Sequence, residues 1–261
     1  MKLLVGLFAS ISIIGLMHNS ALAADLPETM SPLPTPVIEP AKVSGWYLRG
    51  DVGYKIYKAP RASFGQRAFF KEEQDPTGFN GVGLGYRFNE NFRTDITLDY
   101  EWPSRFSGEA ECFLPCVGGS SVETAKLDVW TVLWNAYAEL GNFNGLTPYV
   151  GAGVGGSYVR SRGVRYVNAD GNRGHYKGAG KWNLSWALMA GAGYELSPKW
   201  TLDAGYRYLN IGDGRTKKIT AGETARIEYK DLQAHEFRVG LRYSFNETSQ
   251  NYASQPLVTT Y

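Results

Sequence analysis

Between residues 45 and 245, apolar side chains recur at every second position of the chain. This is the period of a β-strand, and no stretch shows a convincing helical period. Eight segments follow the pattern, and all seven Trp residues fall on their apolar faces. The apolar sets run from Trp46 to Ile56, Val82 to Phe88, Phe92 to Trp102, Trp130 to Leu140, Val150 to Tyr158, Trp182 to Leu196, Trp200 to Tyr208 and Phe237 to Phe245.

The intervening positions of these strands carry charged side chains and glycines. Eleven charged residues are assigned on this basis to one polar face: Arg49, Asp51, Arg87, Arg93, Asp95, Asp99, Glu139, Asp203, Arg207, Arg238 and Arg242. Two folds explain such a two-faced sheet. In a soluble sandwich the aromatic face meets a second sheet, whereas in a membrane barrel it meets lipid and the charged face lines the lumen.

The lengths of the connections separate these two folds. Long stretches run over Ala59 to Pro76, Pro103 to Ala125, Ser161 to Lys181 and Ile211 to Asp231, and short ones over Asn89 to Asn91, Gly141 to Pro148 and Ser197 to Lys199. Outer-membrane barrels alternate long external loops with short periplasmic turns in this way, and strands of about ten residues suit a tilted span. The sequence therefore predicts an all-β fold, an eight-stranded antiparallel up-and-down transmembrane β-barrel over residues 45–245.

Three segments flank the predicted barrel: an N-terminal signal segment, a spacer and a C-terminal tail. The N-terminus has the three parts of an export signal: the basic residue Lys2, an apolar run from Leu3 to Met17 and a small-residue site that ends at Ala23. We therefore expect cleavage after Ala23. An uncleaved anchor is the alternative, but the apolar run is short for a membrane span. Residues 24–44 are rich in proline and predict an extended periplasmic spacer. Residues 246–261 form a polar C-terminal tail.

Composition narrows the class of protein further. The 261 residues include 31 Gly and 14% aromatic residues, and the net charge is +2. Abundant large apolar side chains argue against disorder, and near neutrality argues against a nucleic-acid partner. Cys112 and Cys116 form an even pair in an exported chain, which predicts a disulfide. A metal site is the alternative, but two cysteines without a nearby His supply only two of four zinc ligands.

Four segments carry a resemblance to a known family. Trp46 to Tyr54, with the sequence WYLRGDVGY, resembles the first strand of the small porin-like outer-membrane proteins of alphaproteobacteria. Tyr149 to Gly155, Asp203 to Tyr208 and Phe237 to Phe245 are similar to the fifth, seventh and last strands of that family. The resemblance spans roughly Gly45 to Phe245. It implies a barrel like the OmpA membrane domain in the bacterial outer membrane, and some relatives in this family bind haem.

The same resemblance implies a partner in assembly. Members of the family commonly end at the final Phe, which the outer-membrane assembly machinery recognises. This chain continues from Phe245 to Tyr261, which makes the signal internal.

An eight-stranded barrel is only wide enough for its own side chains to fill the lumen. We therefore expect the charges of the polar face to pair with each other and seal the interior, since an unpaired buried charge is costly. A narrow ion path along the same residues is the alternative.

The third external loop is strongly basic, and Asp170 is its one acidic residue. Its candidate ligand-binding residues are Arg160, Arg162, Arg165, Arg173, His175, Tyr176, Lys177 and Lys181. Anionic groups at the cell surface would suit it: lipopolysaccharide phosphates, acidic host polysaccharides or haem propionates. His175 and Tyr176 are residue types that ligate haem iron.

Neither nucleotide binding nor catalysis is predicted. Gly151 to Gly156 matches G-x-G-x-x-G, but a strand continues where that motif needs a helix. The mature chain has His175 and His235 alone as histidines, and no Ser/His/Asp arrangement can be assigned. We expect a structural and surface-interaction protein of the outer membrane that is not an enzyme and needs no cofactor. A porin-like channel or a haem-binding protein is the alternative.

Overall fold

The computed structural model describes residues 44–58, 60–65, 67–111, 119–218 and 226–245. Within these ranges the chain forms twelve strands: β1 (Gly45–Tyr57), β2 (Arg61–Phe64), β3 (Arg67–Ala68), β4 (Phe70–Gln74), β5 (Thr77–Arg87), β6 (Phe92–Glu111), β7 (Ser120–Glu139), β8 (Leu146–Asn168), β9 (Arg173–Tyr176), β10 (Gly180–Glu195), β11 (Trp200–Arg215) and β12 (Ile227–Ser244). The predicted signal peptide, spacer, tail and both cysteines lie outside the described residues. The described residues include no helix that is long and apolar enough to cross a membrane.

Eight of these strands close into a ring. Their order is β1, β5, β6, β7, β8, β10, β11 and β12, and β12 pairs back onto β1. Every pairing around the ring is antiparallel; at the closure Val52 of β1 lies opposite Val239 of β12 and, on the other side, opposite Asn80 of β5. Each ring strand thus pairs with the ring strands before and after it along the chain. The predicted eight-stranded antiparallel up-and-down fold is confirmed.

The outer wall of the ring is apolar and aromatic. All seven Trp side chains point outward, and between 42% and 64% of each is exposed. Leu184 is 78% exposed in the same wall. A water-soluble protein would bury most of these large apolar side chains, whereas lipid accepts them. The apolar face that the alternation predicted is therefore the wall that faces the membrane.

The structure corrects the prediction for the long connections, because all four contain strands. β6 runs on to Glu111 and β7 begins at Ser120, while the third connection forms a hairpin of β8 and β9. Backbone N–H and C=O groups outside the membrane still need hydrogen-bond partners. The hydrogen bonds between strands therefore continue beyond the part of each strand that spans the membrane. Gly163 adopts a φ of 123°, beside a register shift between β7 and β8. Such a bulge bends the extended strand.

The glycines of the inner face make room for large neighbours. A Cβ atom at Gly81 would overlap the Asp99 carboxylate, and one at Gly53 would overlap the Phe79 ring. Small residues opposite large ones let a narrow ring hold bulky side chains inside without voids.

The interior has two layers along the barrel axis. The end with short connections, which is the periplasmic end of such barrels, contains charged side chains. The other end contains an apolar group that we call the outer apolar layer: Phe69, Phe106, Ala125, Val164, Ile227 and Tyr229, each at most 6% exposed.

Candidate functional site

The charged layer is built as a continuous network of ion pairs. Arg49 donates hydrogen bonds to Asp51 at 2.8 Å and to Asp95 at 3.1 Å. Arg93 is fully buried and donates to Glu139 at 2.8 Å. Its guanidinium also lies 3.7 Å from the centre of the Tyr137 ring. Each arginine thus has a carboxylate partner or an aromatic face in place of water.

The network extends toward the outer apolar layer. Arg207 donates to Asp99 at 2.6 Å and also pairs with Glu236. Lys55 bridges Glu236 at 3.0 Å and Glu101 at 2.7 Å. These buried groups link β1, β6, β11 and β12 across the lumen, which fixes the relative position of strands that are distant in sequence.

The structure places all eleven of the predicted polar-face residues inside the ring. Arg238 lies 2.8 Å from Asp51, Arg242 lies 3.5 Å from Glu139 and 3.9 Å from Asp203, and Arg87 approaches Glu139 from the periplasmic rim at 3.1 Å. Within the described residues the network holds seven cations and seven carboxylates once Lys55, Glu101 and Glu236 are included. Its net charge is therefore zero.

A second feature is a cationic surface on the outer side of the extended strands β6, β7, β8 and β9. We call it the cationic face and define it by seven exposed residues: Arg105, Lys126, Arg162, Arg165, Arg173, His175 and Lys177. They line a groove of about 1080 Å³. Because alternate residues of a strand share one face, the continuation of four neighbouring strands aligns these side chains in rows.

The strand register explains these rows. Arg105 of β6 lies opposite Lys126 of β7. In the row above, Arg165 of β8 lies opposite His175 of β9, and in the next row Val167 lies opposite Arg173. Neighbouring strands are about 4.8 Å apart, and side chains two positions apart on one face of a strand are about 6.7 Å apart, so side chains of one row and of adjacent rows can contact one ligand together.

Few carboxylates neutralise the cationic face. Arg162 donates to Asp128 at 2.7 Å, and this hydrogen bond raises the pKa of Arg162. Within the described part of the chain, no carboxylate lies within 4.0 Å of a nitrogen of the other five cations: Arg105, Lys126, Arg165, Arg173 and Lys177. The groove therefore carries a net positive charge.

The other residues predicted for this site lie elsewhere. Arg160 is exposed on β8 but does not line the groove. Lys181 lies 2.8 Å from Asp213. Burial opposes ionisation of Asp213, but hydrogen bonds from Lys181 and from the Asp231 amide outweigh it and lower the pKa of Asp213.

His175 and Tyr176 project from opposite sides of β9. His175 is exposed on the cationic face, whereas Tyr176 packs toward the interior and stacks on Tyr166 with ring centres 4.8 Å apart. Burial raises the pKa of Tyr176 to about 12. The two side chains therefore do not form a joint ligand set.

Sequence reasoning missed Arg105 and Lys126 as members of this surface. Arg105 stands in a stretch predicted as loop, and Lys126 follows its end. Extending the alternation of β7 outward puts Lys126 on the outer face. The same extension of β6 would put Arg105 on the inner face, because the bulge between Glu101 and Ser104 shifts the phase of that strand. Their distance from the residues of β8 and β9 depends on register, which the alternation does not show.

The position of the cationic face relative to the membrane can be estimated from a belt of outward aromatic side chains below it. Trp102, Trp130 and Tyr158 stand near the outer ends of the lipid-facing segments of β6, β7 and β8. Arg105, Lys126 and Arg162 lie three or four residues further out along the same strands. With about 3.3 Å per residue and a tilt of about 40°, these cations stand roughly 8–10 Å beyond the belt.

A closed antiparallel ring with an aromatic lipid-facing wall and a charged interior defines an integral β-barrel protein of the outer membrane. The chain belongs to the outer membrane protein beta-barrel domain family, whose model matches residues 30–245.

The chain is similar to proteins of other bacteria and to a solved outer-membrane protein. An uncharacterized protein of Brucella suis is 32% identical over 92% of this chain and 99% of its own length. A protein of Rickettsia canadensis named a putative adhesin is 25% identical over 76% of this chain and 87% of its own length. The outer membrane protein OprG from Pseudomonas aeruginosa shares 15% identity, with a TM-score of 0.51 over 78% of this chain and 97% of its own. The likeness to OprG concerns the fold alone.

Proposed function

We propose that the protein is a sealed surface-interaction barrel whose cationic face binds the phosphate groups of the surrounding lipopolysaccharide. The observation that carries the proposal is the convergence of six arginine and lysine side chains on one outward surface just beyond the aromatic belt. The polar region of a bilayer extends beyond its hydrocarbon core by several Å on each side. The lower row of the face stands at the outer limit of this region, where its long side chains can reach headgroup phosphates.

The chemistry of the face supports an anionic ligand with several charges. Four of its six cations are arginines, whose planar guanidinium binds phosphate oxygens in pairs. Because five of the six have no carboxylate partner within the described residues, ligand binding need not break existing ion pairs there. The face is also open toward the side of the barrel, where neighbouring lipids lie.

The packed interior of the barrel argues against a transport role. Its seven cations and seven carboxylates pair across the narrow lumen, and the outer apolar layer stands above them. We infer that this pairing and packing leave no continuous hydrated path through the described part of the interior. The proposal therefore includes no channel and no reaction.

Adhesion to an acidic host polysaccharide is a second candidate, which the names of the Rickettsia relatives favour. The cationic face would supply the same chemistry for sulfate groups. The upper row, with Arg165 and Arg173, is the part that stands furthest from the membrane.

Binding of purified lipopolysaccharide to the full-length protein in detergent tests the proposal. The test variant reverses three charges of the face: Arg105→Glu, Lys126→Glu and Arg165→Glu. Each charge-assisted hydrogen bond contributes about 1.5–3 kcal/mol, so we expect the affinity to fall by at least about 100-fold. Dephosphorylated lipopolysaccharide should bind the unchanged protein equally weakly.

A matched control reverses three exposed cations near β1, β2 and β12, across the ring from the cationic face: Lys58→Glu, Arg61→Glu and Lys230→Glu. We expect this variant to bind lipopolysaccharide like the unchanged protein. Equal losses of affinity for lipopolysaccharide in both variants would show that the effect comes from net charge alone, which would overturn the proposal. Tight binding of heparin without binding of lipopolysaccharide would select the adhesion candidate.

A further inference from the structure

Glu123 is a buried carboxyl group that neither the charged layer nor the cationic face uses. It points inward from β7, above the charged layer, and is 6% exposed. Its cross-strand neighbours are Gly108 of β6 and Tyr166 of β8. Phe106 and Ala125 of the outer apolar layer are the inward residues two positions away on the two strands. The carboxyl group thus lies within an apolar environment at the external end.

The titratable groups that face Glu123 carry no positive charge. They are the tyrosines Tyr166 of β8, Tyr176 of β9 and Tyr229 of β12. β6 contributes Phe106 and Gly108, and Glu72 of β4 accepts a hydrogen bond from the Ala62 amide at 2.7 Å. Among the described residues, no cation lies within 4.0 Å of the Glu123 carboxyl group.

Two buried polar atoms in this cluster have no hydrogen-bond partner among the described residues. They are Oε2 of Glu123 and the hydroxyl oxygen of Tyr229. The Tyr229 ring packs edge-on against Phe106 with ring centres 4.9 Å apart, which holds the hydroxyl within the layer. An ionised carboxylate without a donor is strongly disfavoured at such a site, whereas a neutral carboxyl group costs far less.

We propose that protonation of Glu123 controls how tightly the outer apolar layer closes the external end of the barrel. With a neutral Glu123 the layer packs as described above. With an ionised Glu123 the layer must admit water, or let the Tyr229 hydroxyl move to donate to the carboxylate. The proposal concerns the interior of the external end and is independent of any ligand on the cationic face.

The energetic linkage gives the direction and the size of the effect. Burial alone raises the pKa of Glu123 to about 7 in the closed layer. An opened, hydrated layer would return the pKa to the usual value of about 4.3 for glutamate. The closed form is therefore favoured at acidic pH, and the opening equilibrium rises with pH until about pH 7. Across the whole pH range, a difference of this size changes that equilibrium by on the order of 500-fold.

Hydrogen exchange of the full-length barrel in lipid nanodiscs, measured from pH 5 to pH 9, tests the proposal. The reporters are the amides of β7 and β12 beside the layer, and the test variant is Glu123→Gln, which mimics the neutral acid. In the unchanged protein we expect the opening equilibrium to rise by up to about 80-fold over this range, beyond the intrinsic base catalysis of exchange. In Glu123→Gln it should stay constant.

Glu109→Gln provides the matched control, because Glu109 belongs to the neighbouring strand β6, faces outward and pairs with Lys71 at 3.0 Å. This variant should keep the pH dependence of the unchanged protein. Carbon-13 NMR of glutamate carboxyl groups gives a second readout, in which the titration is measured on the unchanged protein and Glu123→Gln serves only for assignment. A resonance that titrates near pH 7 and is missing in Glu123→Gln supports the proposal. Titration of Glu123 near pH 4, or equal exchange profiles in all three proteins, would overturn it.

Discussion

Asp51 of β1 and Gly240 of β12 lie directly opposite each other at the strand pair that closes the ring. The Asp51 carboxylate fills the space that a Cβ atom at position 240 would need. The same carboxylate lies 2.8 Å from both Arg49 and Arg238. The closing pair of strands therefore contains a buried ion cluster that only a glycine at position 240 accommodates.

Gly240→Ala is expected to destabilise the barrel at this closure. The added methyl group would overlap both the Asp51 carboxylate and the carbonyl oxygen of Gly50, and such overpacking costs about 1–3 kcal/mol. Urea unfolding in lipid vesicles measures the change. Gly50→Ala is the control, because a Cβ atom at this outward position meets no atom within 4 Å. Equal stabilities of the two variants would contradict the expectation.

Arg207→Met is expected to cost more, about 3–5 kcal/mol, since it leaves buried Asp99 and Glu236 without their shared partner. The same unfolding experiment applies. Arg61→Met breaks an exposed pair with Asp231 and should change the stability by about 0–1 kcal/mol. A loss at Arg207 no larger than that at Arg61 would show that the interior is hydrated.

The full-length protein is expected to give no steady open-channel current in planar bilayers. Eight strands enclose a narrow lumen, which paired charges and the outer apolar layer fill. Heat-modifiable gel migration would show in parallel that the sample is a folded barrel. Steady currents from such a sample would favour the porin-like alternative.

The global stability of the barrel should depend on pH through Glu123. Because burial raises the pKa of Glu123 to about 7, the folded state binds its proton more tightly than the unfolded state does. Stability is therefore lost as the pH rises from about 4 to about 7 and is constant above. Between pH 5 and pH 9 the unchanged protein should lose up to roughly 2–3 kcal/mol relative to Glu123→Gln in urea unfolding. An identical pH dependence of the two proteins would argue against this linkage.

The alternation of residue types was sufficient to predict the wall and the charged interior. Trp134 and Asn135 illustrate why, because neighbours in a strand must point to opposite sides and only lipid suits an outward Trp at mid-span. The lengths of the connections then distinguished a barrel from a sandwich. These features are local, so one sequence contains them.

The composition of the cationic face was only partly predictable. Arg165 and Arg173 were recognised from the charge of their segment, but Arg105 joins them through the pairing of β6 with β7 and of β7 with β8. Pairing partners and their register depend on the closed ring, not on any one strand. Glu123 was missed for a related reason: it stands in a stretch predicted as loop, and its burial depends on residues from several strands.

The outward position of every tryptophan has a practical consequence for following membrane insertion. All seven indoles leave water when the wall enters lipid, and none reports on the interior. Intrinsic fluorescence should shift to shorter wavelength with insertion alone, and brominated acyl chains should quench it. Bromines at different depths would then quench different residues, because Trp134 lies near mid-span and Trp46 at the periplasmic rim. The native tryptophans therefore report the depth of insertion without any added label.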